Sequence, residues 1–131
     1  MHHKINPNML LAGKALVTIH NSNTGNRKTY RITKAKNRNI YFVGVKSDHN
    51  NYIQYIGSIF GDTEVFKHTK GSKVSPKSIA FLIFEWTYRN RHNLPDHVHI
   101  YHEGECLKCG RTLTTPTSIA NGIGPVCAKQ L

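Results

Sequence analysis

The chain has 131 residues and is 38% hydrophobic, which suits one domain with a real core and a small appendage. No apolar run approaches the roughly 18 residues a membrane span needs. Residues 9–12 (MLLA) begin like a secretory signal but are cut short by Lys14. The formal net charge is +11, and residues 1–46 carry nine Lys or Arg and no Asp or Glu. His2 and His3 are too few to read as an expression tag.

In chain order, residues 15–20 (ALVTIH) suit a strand, with β-branched residues at alternate positions. Residues 21–26 (NSNTGN) are a dense turn signal. Residues 28–33 (KTYRIT) return as a second strand, with Tyr30 and Ile32 on one face and Thr29, Arg31 and Thr33 on the other. Residues 40–45 are apolar on both faces and read as a central strand, and residues 52–60 as another, joined by a turn at 48–51. A short strand is expected around residues 64–67. One main helix is expected over residues 76–92, with Ser75 as N-cap and Pro76 in the first position. Ile79, Leu82, Ile83 and Trp86 repeat at helical spacing and are expected to pack on the sheet. Residues 96–101 alternate as a last strand, with Val98 and Ile100 facing one way and His97, His99 and Tyr101 the other. The expected class is therefore α+β. An antiparallel sheet of about five to six strands would be packed by one main helix (domain 1–101), followed by a small zinc-ribbon or treble-clef-like module (102–131).

All three cysteines lie in the last 26 residues, an odd number, with two in a Cys-x-x-Cys pair. That pattern favours a metal site in a reducing, cytoplasmic setting over a disulfide framework. Cys106, Cys109 and Cys127 are expected to bind one structural Zn2+ with a histidine as fourth ligand. Gly110 permits the tight turn after the pair, and residues 118–121 form one helical turn that Gly122 closes. Ile123 and Val126 are expected beneath the site, and Cys127 opens a short helix whose dipole favours a thiolate. His102 is the best histidine: it precedes Cys106 by four residues and differs in parity from His97 and His99. His99 competes if the strand runs past Tyr101. An open fourth position holding water would instead mark a catalytic metal, but the nearby acids, Glu103 and Glu105, sit beside the presumed ligand.

The stretch from Cys106 through Cys109-Gly110-Arg111, Leu113-Thr114, Pro116, Ser118-Ile119, Gly122-Ile123-Gly124-Pro125 and Cys127-Ala128 resembles a zinc-ribbon-like domain of unknown function, widespread in phages and prophages. The resemblance extends through residues 101–104 (YHEG), which favours His102 as ligand, and more loosely to residues 11–15 and 24–32. It implies a phage or mobile-element origin and a zinc site, and it does not supply an activity.

For function, the leading expectation is nucleic-acid binding without catalysis. Arg27, Lys28, Arg31, Lys34, Lys36 and Arg38 would grip phosphates, with Lys108 and Arg111 extending the surface. Tyr41, Tyr52 and Tyr55 would stack on bases wherever they are exposed. The alternative is a protein-binding inhibitor of a host defence or nucleic-acid enzyme, in the manner of anti-CRISPR proteins. A metal-dependent nuclease built on His97 and His99 is the third reading. No small-molecule substrate and no membrane partner are expected.

Overall fold

A computed structural model of the protein describes residues 3–130, with backbone alone for residue 3. His2 lies outside the described residues. The fold is α+β: a seven-stranded antiparallel sheet packed against helices. The strands are β1 (His3–Lys4), β2 (Lys14–Asn21), β3 (Arg27–Lys34), β4 (Ile40–Lys46), β5 (Ile53–Phe60), β6 (Val65–Lys67) and β7 (Val98–His102). Their order in space is β1-β7-β2-β3-β4-β5-β6. Consecutive hairpins build β2 to β6, and β7 returns across the sheet to pair with β2. β1, which the residue pattern did not signal, pairs with β7.

The β2–β3 hairpin follows from its turn chemistry. The Asn21 side-chain oxygen accepts from the N–H groups of Asn23 and Thr24, and Gly25 takes a φ of 78° that other residues resist. This register places Val17 opposite Tyr30 and Ala15 opposite Ile32 on the inner face. Thr18 lies opposite Thr29 on the outer face, their hydroxyls 2.7 Å apart. β4 continues the inner rows with Val43 and Val45.

The helix, α1 (Ile79–Arg89), is shorter than its periodicity implied and starts later. Ser78, not Ser75, is the N-cap, its hydroxyl accepting from the Phe81 N–H; Ser75 instead accepts from Lys77 N–H in the preceding turn. The buried face also differs. Phe81, Phe84, Thr87 and Tyr88 face the sheet, whereas Ile79, Leu82 and Trp86 are exposed and Ile83 is half-buried. Both sets recur at helical spacing, so the choice rests on what lies opposite. Phe84 packs 5.0 Å from the Tyr30 ring and 4.8 Å from Phe66, Phe81 lies 5.0 Å from Phe66, and the Tyr30 hydroxyl donates to the Ala80 carbonyl. Each buried phenylalanine contributes roughly 1.5–3 kcal/mol, more than the smaller Leu82 would in its place.

β7 carries Val98, Ile100 and His102 inward and leaves His99 and Tyr101 on the outer face. A 3-10 turn, Pro7–Leu11, drops Leu10 into the same core. The C-terminal segment is tied to this body from several sides. The Lys14 N–H donates to the Leu107 carbonyl, Leu107 is buried in the main core, and Met9 packs against both the main core and the smaller cluster of the tail. The boundary expected between residues 101 and 102 thus falls inside a strand.

Candidate metal centre

The tail after β7 folds as a tight hairpin followed by two short helices. Glu105 and Thr112 form a single β-bridge, the Cys106 N–H donates to the Arg111 carbonyl, and the Leu113 N–H donates to Gly104. Gly110 closes the loop at a φ of 83°, its N–H donating to the Cys106 carbonyl. The loop therefore turns Cys106 and Cys109 toward one point, as two intervening residues and a glycine should.

The helix α2 (Pro116–Asn121) then carries the chain back over the hairpin. Thr115 and Ser118 form a reciprocal capping box, with proline at the start and Gly122 at a φ of 72° at the end. A Cβ on Gly122 would meet Leu107 Cδ1 at 2.9 Å and His102 Cδ2 at 3.2 Å, and the positive φ would strain any side chain there, so glycine suits the position. The last helix, α3 (Pro125–Ala128), brings Cys127 to the hairpin.

The result is a cluster in which the sulfurs of Cys106, Cys109 and Cys127 all lie within 4.8 Å of one another. Tetrahedral zinc with bonds near 2.3 Å would hold its sulfurs about 3.8 Å apart, so little movement separates this arrangement from a loaded site. The donor set fits a metal and none of the three forms a disulfide. Leu113 and Ile123 are buried beside the cluster, and Ile119 is half-buried against it. Val126, expected beneath the site, is instead 65% exposed, because α3 turns Cys127 inward and its neighbour outward.

The thiols are not alike. Burial raises Cys106, but the N–H groups of Gly124, Cys109 and Lys108 and the Cys109 thiol outweigh burial and bring it down to about 7 from an ordinary 9.0. The Gly124 N–H lies 3.4 Å from its sulfur. Cys127 moves the other way: burial, then its contacts with Cys109 and Cys106, push it up to about 11. The helix-dipole effect expected at Cys127 is overridden, since α3 is only four residues long. Thiolate character resides at the hairpin cysteine.

His102 is buried and beside the tail, but its ring is used otherwise. Its Nδ1 accepts from the Gly104 N–H at 3.0 Å, and its Nε2 donates to the Ile119 carbonyl. It ties β7 to α2 and is not brought into the sulfur cluster. His99 lies on the outer face, stacked on Tyr101 with ring centroids 5.7 Å apart and with His20 6.4 Å away. Burial, then the charges of Lys4 and His20, lower the His99 pKa from 6.5. His97 precedes the strand and borders a groove beside Trp86.

The basic residues divide between the two ends of β3. Lys34, Lys36 and Arg38 are exposed at the β3–β4 hairpin tip. That tip abuts the cysteine hairpin through the residues between them: Lys34 N–H donates to the Gly13 carbonyl, Lys14 N–H donates to Leu107, and the Lys14 side chain lies against Gly110. Lys108 and Arg111 therefore share an end of the molecule with the tip. Lys14 completes that end; its isolation in sequence gave no sign of it. Arg27 and Lys28 lie at the other end of the strand, roughly 24 Å away at strand spacing, where Lys28 pairs with Asp48 at 3.4 Å. Arg31 is held between them by Glu105 at 3.1 Å and the Lys14 carbonyl. Of the tyrosines, Tyr41 is core, Tyr52 is exposed, and Tyr55 is half-buried on the outer face beside Phe42.

No helix of the described residues is long and apolar enough to cross a membrane. Residues 96–131, which span β7 and the cysteine cluster, match a family of unknown function (DUF6011). No curated protein and no solved structure matches the chain.

Proposed function

We propose that this is a small, basic, zinc-stapled accessory protein of the phage type that binds nucleic acid without catalysis. The observation that carries the reading is the meeting of two basic segments distant in sequence: the hairpin tip with Lys34, Lys36 and Arg38, and the cysteine hairpin with Lys108 and Arg111, joined through Lys14. These side chains contribute six positive charges at one end of a chain whose net charge is +11. Such a field attracts phosphates and steers them to the surface. On this reading the metal performs no chemistry. It holds the Lys108–Arg111 edge in place against the sheet.

Fluorescence anisotropy with labelled single- and double-stranded DNA and RNA over a salt series tests the proposal. The expected result is binding at low salt that weakens steeply as salt rises. Replacing Lys34, Lys36 and Arg38 together by alanine should weaken binding to all sequences alike. It should also reduce the log–log salt slope by about 0.7–0.9 for each phosphate that is no longer neutralised. No binding at low salt would sink the proposal.

One observation favours a second reading, a protein-binding inhibitor of a host defence or nucleic-acid enzyme. Ile79, Leu82 and Trp86 present an exposed apolar ridge on α1, next to a groove of about 300 Å3 walled by Ile19, Ile83 and Val98. A second copy is an unsuitable occupant, since each would bring a charge of +11. An apolar segment flanked by acidic residues on a host protein suits it better. Leu82→Asp should then abolish capture of a nuclease-resistant partner and leave nucleic-acid affinity unchanged.

A further inference from the structure

Three sulfurs meet at the cluster, whereas a structural zinc takes four donors. The origin of the fourth decides whether the site is sealed or reachable. His102 does not supply it in this arrangement. Its Nδ1 lone pair is taken by the Gly104 N–H, and its Nε2 carries the hydrogen directed at Ile119; neither nitrogen has a lone pair left for a metal. The neighbouring carboxylates are engaged elsewhere and are not part of the cluster: Glu103 accepts from the Thr18 hydroxyl at 2.7 Å, and Glu105 pairs with Arg31. Among the described residues, no fourth His, Cys, Asp or Glu joins the cluster.

What adjoins the sulfurs instead is space. Cys106, Cys109 and Cys127 together line a pocket of about 350 Å3, whose other walls include Arg111, Thr112 and Gln130. We infer, on the basis of the metal reading above, that the fourth coordination position opens into this pocket and takes a thiolate from outside the chain. Three thiolates on a dication leave one net negative charge, and a fourth leaves two. Residues 106–131 offset that charge, with Lys108, Arg111 and Lys129 and no acidic residue. Zinc already bound by thiolates accepts another soft donor readily. Among the described residues, no carboxylate or histidine lines the pocket to act as a general base for hydrolysis. The thiolate can belong to a small cellular thiol or to a cysteine on a partner protein; its chemistry at the metal is the same.

Cobalt(II) reports the donor set directly. The 131-residue chain is reduced with a phosphine, so that no thiol is introduced, loaded with cobalt, and titrated with a small alkyl thiol. Sulfur-to-cobalt charge-transfer absorption should rise by about one third as a fourth sulfur joins three, with the cobalt content per chain unchanged. Acetate should leave the spectrum as it was. His102→Gln, whose amide nitrogen can still donate toward Ile119, should give the wild-type spectrum and the same response. A parallel titration with a reduced cysteine-containing peptide separates the sources: a response to both probes admits a partner's cysteine, and a response to the small thiol alone restricts the position to small thiols. A loaded protein that ignores thiol, or a His102→Gln spectrum that has lost a ligand, overturns the inference and leaves the metal site standing. Failure to take up cobalt overturns the metal reading itself.

Discussion

At the scale of single residues, the two titrating thiols make metal binding a competition with protons. Cys127, pushed up to about 11, holds its proton at any physiological pH, so an incoming metal must displace it. Cys106, brought down to about 7, is ionised above that pH and protonated below it. Both are acids, so lowering the pH favours the form that does not bind. Apparent zinc affinity should fall at least about tenfold per pH unit between pH 9 and 7, one proton being released at Cys127, and more steeply below pH 7, where Cys106 adds a second. Competition with a chromophoric chelator across this range measures the slope, and a flat profile contradicts the assignment. The three cysteines were readable from spacing alone, because two thiols two residues apart beside a glycine have few other uses. The disposition of His102 was not. Whether a histidine ligates depends on where its two nitrogens find partners, and here Gly104 and Ile119 claim both. Parity correctly set His102 apart from His99, and it is the feature that turned the ring into the core.

Among the elements, α1 shows where a periodic pattern stops being informative. Residues 79–86 (IAFLIFEW) are apolar nearly all round, so helical spacing is satisfied by Ile79, Leu82 and Trp86 as well as by Phe81, Phe84 and Tyr88. The residue pattern indicates a helix there but does not give its rotation, which is set by Tyr30 and Phe66 across the interface. The strands were more readable, because a period of two fixes the face once one residue is placed. Thr18 and Thr29 meet on the outer face as their alternation with Val17 and Tyr30 requires. The helix rotation has a measurable consequence. Phe84, 1% exposed, should cost about 3–5 kcal/mol when replaced by alanine, whereas Trp86, 41% exposed, should cost well under half of that. Urea melts of the two variants compare them. Trp86 is also the one tryptophan in the chain, so its emission should be red-shifted and quenched by iodide in the native state. A blue, unquenchable emission would place it back in the core.

Across the whole molecule, the arrangement explains how so short a tail is held in place. Its own buried cluster is small: Cys106, Leu113, Ile123 and Cys127, with Met9, Cys109 and Ile119 against it. A segment of this size buries too little apolar area to order itself, which is where a metal staple or borrowed packing becomes necessary. The borrowed packing is present, because Leu107, one of the two residues between the paired cysteines, leaves the tail and enters the main core; the three-cysteine cluster offers the place for the staple. That insertion was unreadable from the sequence, where Leu107 is merely a spacer. Removal of the metal should therefore unravel the hairpin while leaving the sheet formed. In hydrogen exchange after chelation, the amides of Cys106 and Leu113, which close the hairpin, should lose protection; those of Val17 and Ile32 within the sheet should keep it. Under the nucleic-acid reading, binding should change in proportion. Lys108 and Arg111 lose their fixed positions, while Lys34, Lys36 and Arg38 keep theirs on the β3–β4 hairpin. The salt slope should drop in magnitude by about 1.4–1.8, the share of two neutralised phosphates, and not collapse to zero. A chelated protein with an unchanged slope would mean that the cysteine hairpin never touched phosphate; one with no binding at all would mean that the hairpin tip alone does not suffice.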